Sequence, residues 1–276
     1  LHCNIKPQTG AFQLCEEMLM RKQKVLEMES VTKAYGDHVV VNNLSVTLFE
    51  GEVFGLLGPN GSGKTTTIKS MTGLLTPDAG IITIDGLDVA AHAMKIKHMI
   101  GVMPDVDELM EDLTAWEFLR FIAAIRQLPT TNTDKQIEEW LRLLGIWEDR
   151  KRLLHSFSHG MRKKVQLVAT LLHQPRLIIL DEPTTGLDPE MIYLLKQVLR
   201  EIKQKQIAVL LSTHDLFFAQ QVCDRVCLIQ NGMELIQGEV KWVLKQCQAT
   251  SLEESYIQLT QSQDKRGQIH AILDHW

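Results

Sequence analysis

Gly58-Pro59-Asn60-Gly61-Ser62-Gly63-Lys64-Thr65-Thr66 decides how this chain is read, because it fits the Gly-x4-Gly-Lys-Thr phosphate-cradling loop without a mismatch. Glycines let the backbone curl until successive N–H groups converge on a phosphate, and a helix starting there adds its positive N-terminal end. Lys64 then reaches the β/γ-phosphates, and Thr65 places its hydroxyl on Mg²⁺. The flanks agree. Glu52-Val53-Phe54-Gly55-Leu56-Leu57 reads as a buried strand entering the loop, and Thr65 to Leu74 as a helix leaving it. The implied ligand is a nucleoside triphosphate with Mg²⁺.

Outward from the loop, Val25-Leu26-Glu27-Met28-Glu29 alternates as a strand does, and Val39 to Phe49 is strand-like with an interruption at Asn42-Asn43. Ile81-Ile82-Thr83-Ile84 before Asp85-Gly86 reads as strand and turn, so a β portion brackets the loop. Two helices follow, with capping-box starts at Thr114-Ala115-Trp116-Glu117 and Thr133-Asp134-Lys135-Gln136, the second closed by Gly145. Leu177-Ile178-Ile179-Leu180 and Ile207-Ala208-Val209-Leu210-Leu211 are apolar runs of the kind a parallel sheet buries on both faces. Between them, Asp188 caps and Pro189 opens an amphipathic helix. The order predicts an α/β domain with a helical insert.

The strand at Leu177–Leu180 delivers Asp181-Glu182 at its carboxyl end, where ligands gather in an open parallel sheet. Beside a phosphate loop, Asp181 is the natural Mg²⁺ partner, and Glu182 is placed to orient or deprotonate an attacking water.

Composition sets the outer limits. The chain has 276 residues, 45% of them apolar, enough for one large domain or two small ones. Its net charge of −5 argues against a duplex-binding surface, and no nucleic-acid partner is expected. Cys223 and Cys227 stand at i, i+4 without a second ligand pair, which reads as core packing in a reducing compartment. No run of 18 apolar residues occurs. Residues 1–24 are expected to be a leader or upstream extension, with Met20 a plausible start, and 261–276 a polar tail.

With these motifs in hand, the chain resembles the nucleotide-binding subunit of an ATP-binding cassette (ABC) transporter over Val25 to Thr260. Tyr35 matches the aromatic that stacks on adenine, Gly58–Thr66 the Walker A loop, and Phe157-Ser158-His159-Gly160-Met161 the signature motif. Leu177–Glu182 matches Walker B, Gly186-Leu187-Asp188 the D-loop, and His214 in Ser212-Thr213-His214 the switch histidine. The resemblance implies a P-loop NTPase (RecA-like) parallel-sheet core with an antiparallel β subdomain and an α-helical signature subdomain at about 105–160. It also implies ATP hydrolysis in a head-to-tail pair of subunits, homodimer or heterodimer. Each ATP would then lie between Gly58, Pro59, Asn60, Gly61, Ser62, Gly63, Lys64, Thr65 and Thr66 of one copy and Ser158 and Gly160 of the other, with the D-loop's Asp188 among the nucleotide-site residues and His214 at the γ-phosphate.

Two departures stand out. Asp105, in Met103-Pro104-Asp105, occupies the place where the family commonly has glutamine, and a carboxylate there is an acceptable Mg²⁺ ligand. His159 and Met161 replace the usual first glycine and glutamine of the signature. After Asp105 the chain adds Asp107, Glu108, Glu111 and Asp112, in the region where the family docks a multispanning membrane permease. The closing segment Ser251–Thr260 resembles that of ABC-2-type bacterial export ATPases. The expectation is an exporter ATPase subunit, cytoplasmic and peripheral on the inner face of the cell membrane. The alternative is a non-transport ABC ATPase acting on ribosomes or DNA.

Overall fold

The alternating first run forms β1 (Lys24–Tyr35), which turns at Gly36, φ 59°, into β2 (His38–Phe49). This computed structural model describes residues 22–106 and 109–260, so the expected leader up to residue 21 and the tail from 261 lie outside the described residues. β2 runs through Asn42-Asn43 without a break. Asn43 takes φ 50° and the register with β1 slips there, so the polar pair marks a bulge.

β3 (Val53–Leu57) enters the phosphate loop, and α1 (Lys64–Met71) leaves it. The helix stops three residues short of the expected Leu74. Gly73 adopts φ 70°, and the amides of Gly73 and Leu74 fold back onto the carbonyls of Ser70 and Lys69, a left-handed cap that ends the helix. Next come β4 (Ala79–Ile84), β5 (Leu87–Asp88), α2 (Ala93–Met99) and β6 (Ile100–Met103).

α3 (Ala115–Ile125) begins with the full reciprocal capping box between Thr114 and Glu117. Replacing Thr114 by alanine is expected to lower stability by about 1 kcal/mol in urea unfolding. The second box does not form. α4 (Thr130–Leu143) starts three residues earlier, after Pro129, and the Thr133 hydroxyl donates to the Pro129 carbonyl at 2.9 Å from inside the helix. Pro129, with φ −67°, sets the chain for a helix before Thr133 is reached. Gly145, φ 67°, follows the end of α4.

The remaining elements are α5 (His159–Leu171), β7 (Leu177–Asp181), α6 (Pro189–Gln204), β8 (Ala208–Thr213), α7 (Leu216–Val222), β9 (Arg225–Gln230), β10 (Met233–Glu239), α8 (Val240–Gln246) and α9 (Leu252–Leu259). Cys223 and Cys227 fall on either side of the α7–β9 turn, and burial pushes both thiols well above their ordinary pKa.

Strands β2, β1, β4 and β5 form an antiparallel sheet in that order. The second sheet has the order β10-β9-β3-β8-β7-β6, with every contact parallel except β10 to β9. Every residue of β3, β7 and β8 is buried, as their unbroken apolar runs require when both faces are covered. One apolar cluster fills the space between the two sheets, and another joins α3, α4 and α5 to the parallel sheet. The carboxyl ends of β3, β6, β7 and β8 therefore open at one edge.

Candidate active site

At that edge the loop after β3 is shaped by glycine. Gly61 and Gly63 have φ 80° and 105°, and a Cβ added to Gly63 would come within 2.6 Å of the Val40 carbonyl oxygen. On Gly58 a Cβ would lie 2.3 Å from the Ile229 carbonyl. Neither position has space for a side chain. Lys64 bends back over this loop, donating to the carbonyls of Gly58 at 2.8 Å and Pro59 at 3.2 Å, and its Nζ is 3.5 Å from Glu182 Oε1.

The two acids are set by the β7–β8 ladder. Asp181 pairs in register with Ser212, whose hydroxyl donates to Asp181 Oδ1 at 2.7 Å, while the Thr65 hydroxyl reaches Oδ2 at 3.4 Å. Glu182 stands just past the strand at φ 47°, a left-handed conformation uncommon for this residue type. Its carboxylate accepts from the Thr213 hydroxyl at 2.8 Å and the His214 amide at 3.1 Å, and His214 Nδ1 lies 2.9 Å from Oε1. Ser212 and Thr213 thus orient both acids. The sequence reading used only His214 of that triplet. The sequence shows only two hydroxyl residues closing an apolar strand; the β7–β8 register is what sets them against the carboxylates.

Burial raises the Asp181 pKa above the usual aspartate value. The Ser212 hydrogen bond and Lys64 oppose the rise, and the charges of Asp105 and Glu182 add to it. A buried carboxylate held this way gains from a divalent cation that supplies positive charge.

Asn60, Lys64, Thr65, Asp105, Asp181 and Glu182 line one cavity of about 290 Å³. Its Lys64 ammonium and glycine-shaped loop suit a triphosphate, and the oxygens of Thr65, Asp181 and Asp105 form the hard donor set that Mg²⁺ prefers.

Other candidates stand apart from this mouth. Tyr35 is half exposed at the β1–β2 turn, with Lys33 Nζ 6.0 Å from its ring centroid. Ser158 caps α5 by accepting from the Met161 amide at 3.3 Å, and Asp188 caps α6 by accepting from the Met191 amide at 2.8 Å. None of Tyr35, Ser158, Gly160 and Asp188 is among the cavity's lining residues. Of the acidic run, Asp107 and Glu108 lie outside the described residues, and Glu111 pairs with Arg162 at 2.7 Å.

His159 has a definite seat. Its imidazole covers Gly186, where an added Cβ would come within 2.1 Å of His159 Cδ2, and Gly186 itself has φ 74°. Gly186→Ala is expected to lower stability by about 2 kcal/mol or more, through the left-handed backbone and the clash together. Adding His159→Gly removes the clash alone, so the double variant should recover part of the loss in the same urea titration.

A comparison with known families matches residues 41–185 to the ABC transporter family. The chain belongs to that family. It is an ATP-binding, ATP-hydrolysing cassette on an α/β P-loop fold. A Nod factor export ATP-binding protein I from Sinorhizobium fredii is 39% identical over 77% of this chain and 62% of its own length. The linearmycin resistance ATP-binding protein LnrL from Bacillus subtilis is 36% identical over 78% of this chain and 69% of its own length. The cassette therefore spans about two thirds of these curated relatives. A solved structure described as the ATP-binding subunit of an ABC transporter superposes with TM-score 0.81 at 33% identity, covering 86% of this chain and 99% of that one. Among the described residues, no helix is long and apolar enough to cross a membrane.

Proposed function

We propose that residues 25–260 form the ATPase module of a bacterial ABC exporter, working as one of two head-to-tail cassettes beneath a separate membrane permease. The observation that carries this reading is the division of the motifs. Lys64, Thr65, Asp181 and Glu182 meet in one cavity, while Ser158 and Gly160 sit at the start of α5 outside it. A second copy, turned about a two-fold axis, would bring its own Ser158 and Gly160 over the triphosphate and complete the enclosure.

In this scheme Lys64 and the loop amides bind phosphate, while Thr65 and Asp181, with Asp105 beside them, hold Mg²⁺, which supplies charge neutralisation at the phosphates. Glu182 takes a proton from the attacking water, and His214 steadies Glu182 and the γ-phosphate. Ser158 and the Gly160 N–H of the second copy add donors where charge develops. Tyr35, on the β1–β2 turn, stacks on the adenine, and Asp188 faces the second copy's site.

Export rests on the relatives, named for Nod factor export and linearmycin resistance. The permease would sit near the acidic run from Asp105 to Asp112 and offer Lys or Arg to it, placing the cassette on the inner face of the cell membrane. Copurification from detergent-solubilised membranes tests this. A bound multispanning protein, released more readily at high salt, is the expected result. Recovery with ribosomes or DNA instead would overturn it.

A further inference from the structure

The cavity that receives the triphosphate carries an imbalance. Asp105, Asp181 and Glu182 line it, and Lys64 is the one lysine beside them among the lining residues. Three carboxylates facing a polyanion repel it unless further positive charge stands close by. Lys163 supplies that charge from behind. Its side chain is fully buried on α5, its Nζ donates to the Asp105 carbonyl at 2.7 Å and the Pro104 carbonyl at 3.2 Å, and it lies 4.0 Å from Asp105 Oδ1. A buried ammonium needs such partners, because desolvation penalises an unpaired charge severely.

Lys163 belongs to a row. Gln166 donates to the Val106 carbonyl at 3.2 Å, and Thr170 donates to the Val102 carbonyl at 3.2 Å. Gly101 lets α5 come this near, since a Cβ there would fall 2.4 Å from the Thr170 carbonyl oxygen. One face of the helix that begins at Ser158 thus grips the backbone from 102 to 106, the segment that ends in the Asp105 loop.

We propose that Lys163 is a positioning residue for ATP binding: it balances the charge of Asp105 at the triphosphate mouth and fastens the Asp105 loop to the signature helix. This rests on the ATPase reading of the site. Without Lys163, Asp105 adds uncompensated negative charge at the mouth, and the repulsion is worst when no divalent cation screens it. Without Asp105, that particular repulsion disappears.

The test is a double-mutant cycle on the purified full chain, using a fluorescent ATP analogue titrated in Mg²⁺ and in EDTA. Lys163→Gln is expected to weaken binding about tenfold in EDTA and clearly less in Mg²⁺, and Asp105→Gln added to it should restore most of that affinity. Equal loss in both buffers, unrelieved by Asp105→Gln, would overturn the proposal and leave Lys163 a structural helix residue. Should Lys163→Gln not fold, Lys163→Arg keeps the charge and should hold the EDTA affinity within about threefold of the parent. A tenfold loss in Lys163→Arg, whatever stands at 105, overturns the proposal equally. Failure of the parent chain to bind the analogue in either buffer would instead strike the ATPase reading itself.

Discussion

Glu182→Gln is expected to lower ATP hydrolysis by about 10²–10⁴-fold while leaving ATP binding in place. The carboxylate is held by the Thr213 hydroxyl, the His214 amide and the His214 ring, on a backbone kink at φ 47°. A strained residue held by that many partners is poised for a task, and its neighbours keep one geometry available to water. Glutamine retains nearly the same shape and hydrogen-bonding reach, but it cannot accept the proton. Asp181 and Thr65 stay where they are, so the metal and phosphate contacts proposed for them are expected to survive. A phosphate-release assay run beside nucleotide binding separates the two effects, and parental turnover in this variant would refute the base assignment.

Lys64→Ala should act on the other side of that division, weakening ATP binding by on the order of 10- to 100-fold, the range expected for losing a charge-assisted hydrogen bond. Its ammonium sits between the carbonyls of Gly58 and Pro59 and the Glu182 carboxylate, with the side chain only 6% exposed. The lysine is thus pre-placed, and in the proposed site phosphate would only have to replace carbonyl contacts already made. Its removal also leaves Glu182 and Asp181 facing the triphosphate with less opposing charge. Titration with a fluorescent nucleotide reads the loss directly, and unchanged affinity would remove Lys64 from the phosphate site.

Much of this arrangement was legible in the residues themselves. The loop at Gly58–Thr66 and the acid-ended strand at Leu177–Glu182 are local patterns whose chemistry follows from spacing, and the parallel strands announced themselves as unbroken apolar runs. Helix boundaries were less legible because they depend on competition between neighbouring caps. Thr133 offered a plausible start, yet Pro129 had already fixed the backbone four residues earlier, and Gly73 ended α1 before the apolar pattern did. Partners across the sheet were hidden for a different reason. Nothing local to Ser212 and Thr213 says that they face Asp181 and Glu182, because that depends on the β7–β8 register. Lys163 was the hardest to see. A lysine on a helix reads as a solvated charge until the fold buries it against the Asp105 loop.

On the proposed reading, one cassette holds half of an ATP site and needs a second copy to close it. Light scattering on Glu182→Gln tests that claim most directly, with MgATP, with MgADP and without nucleotide. A mass of two chains is expected in MgATP alone, returning to one chain when Ser158→Arg is added, with ATP still bound. A one-chain mass in MgATP with the nucleotide fully bound would contradict it.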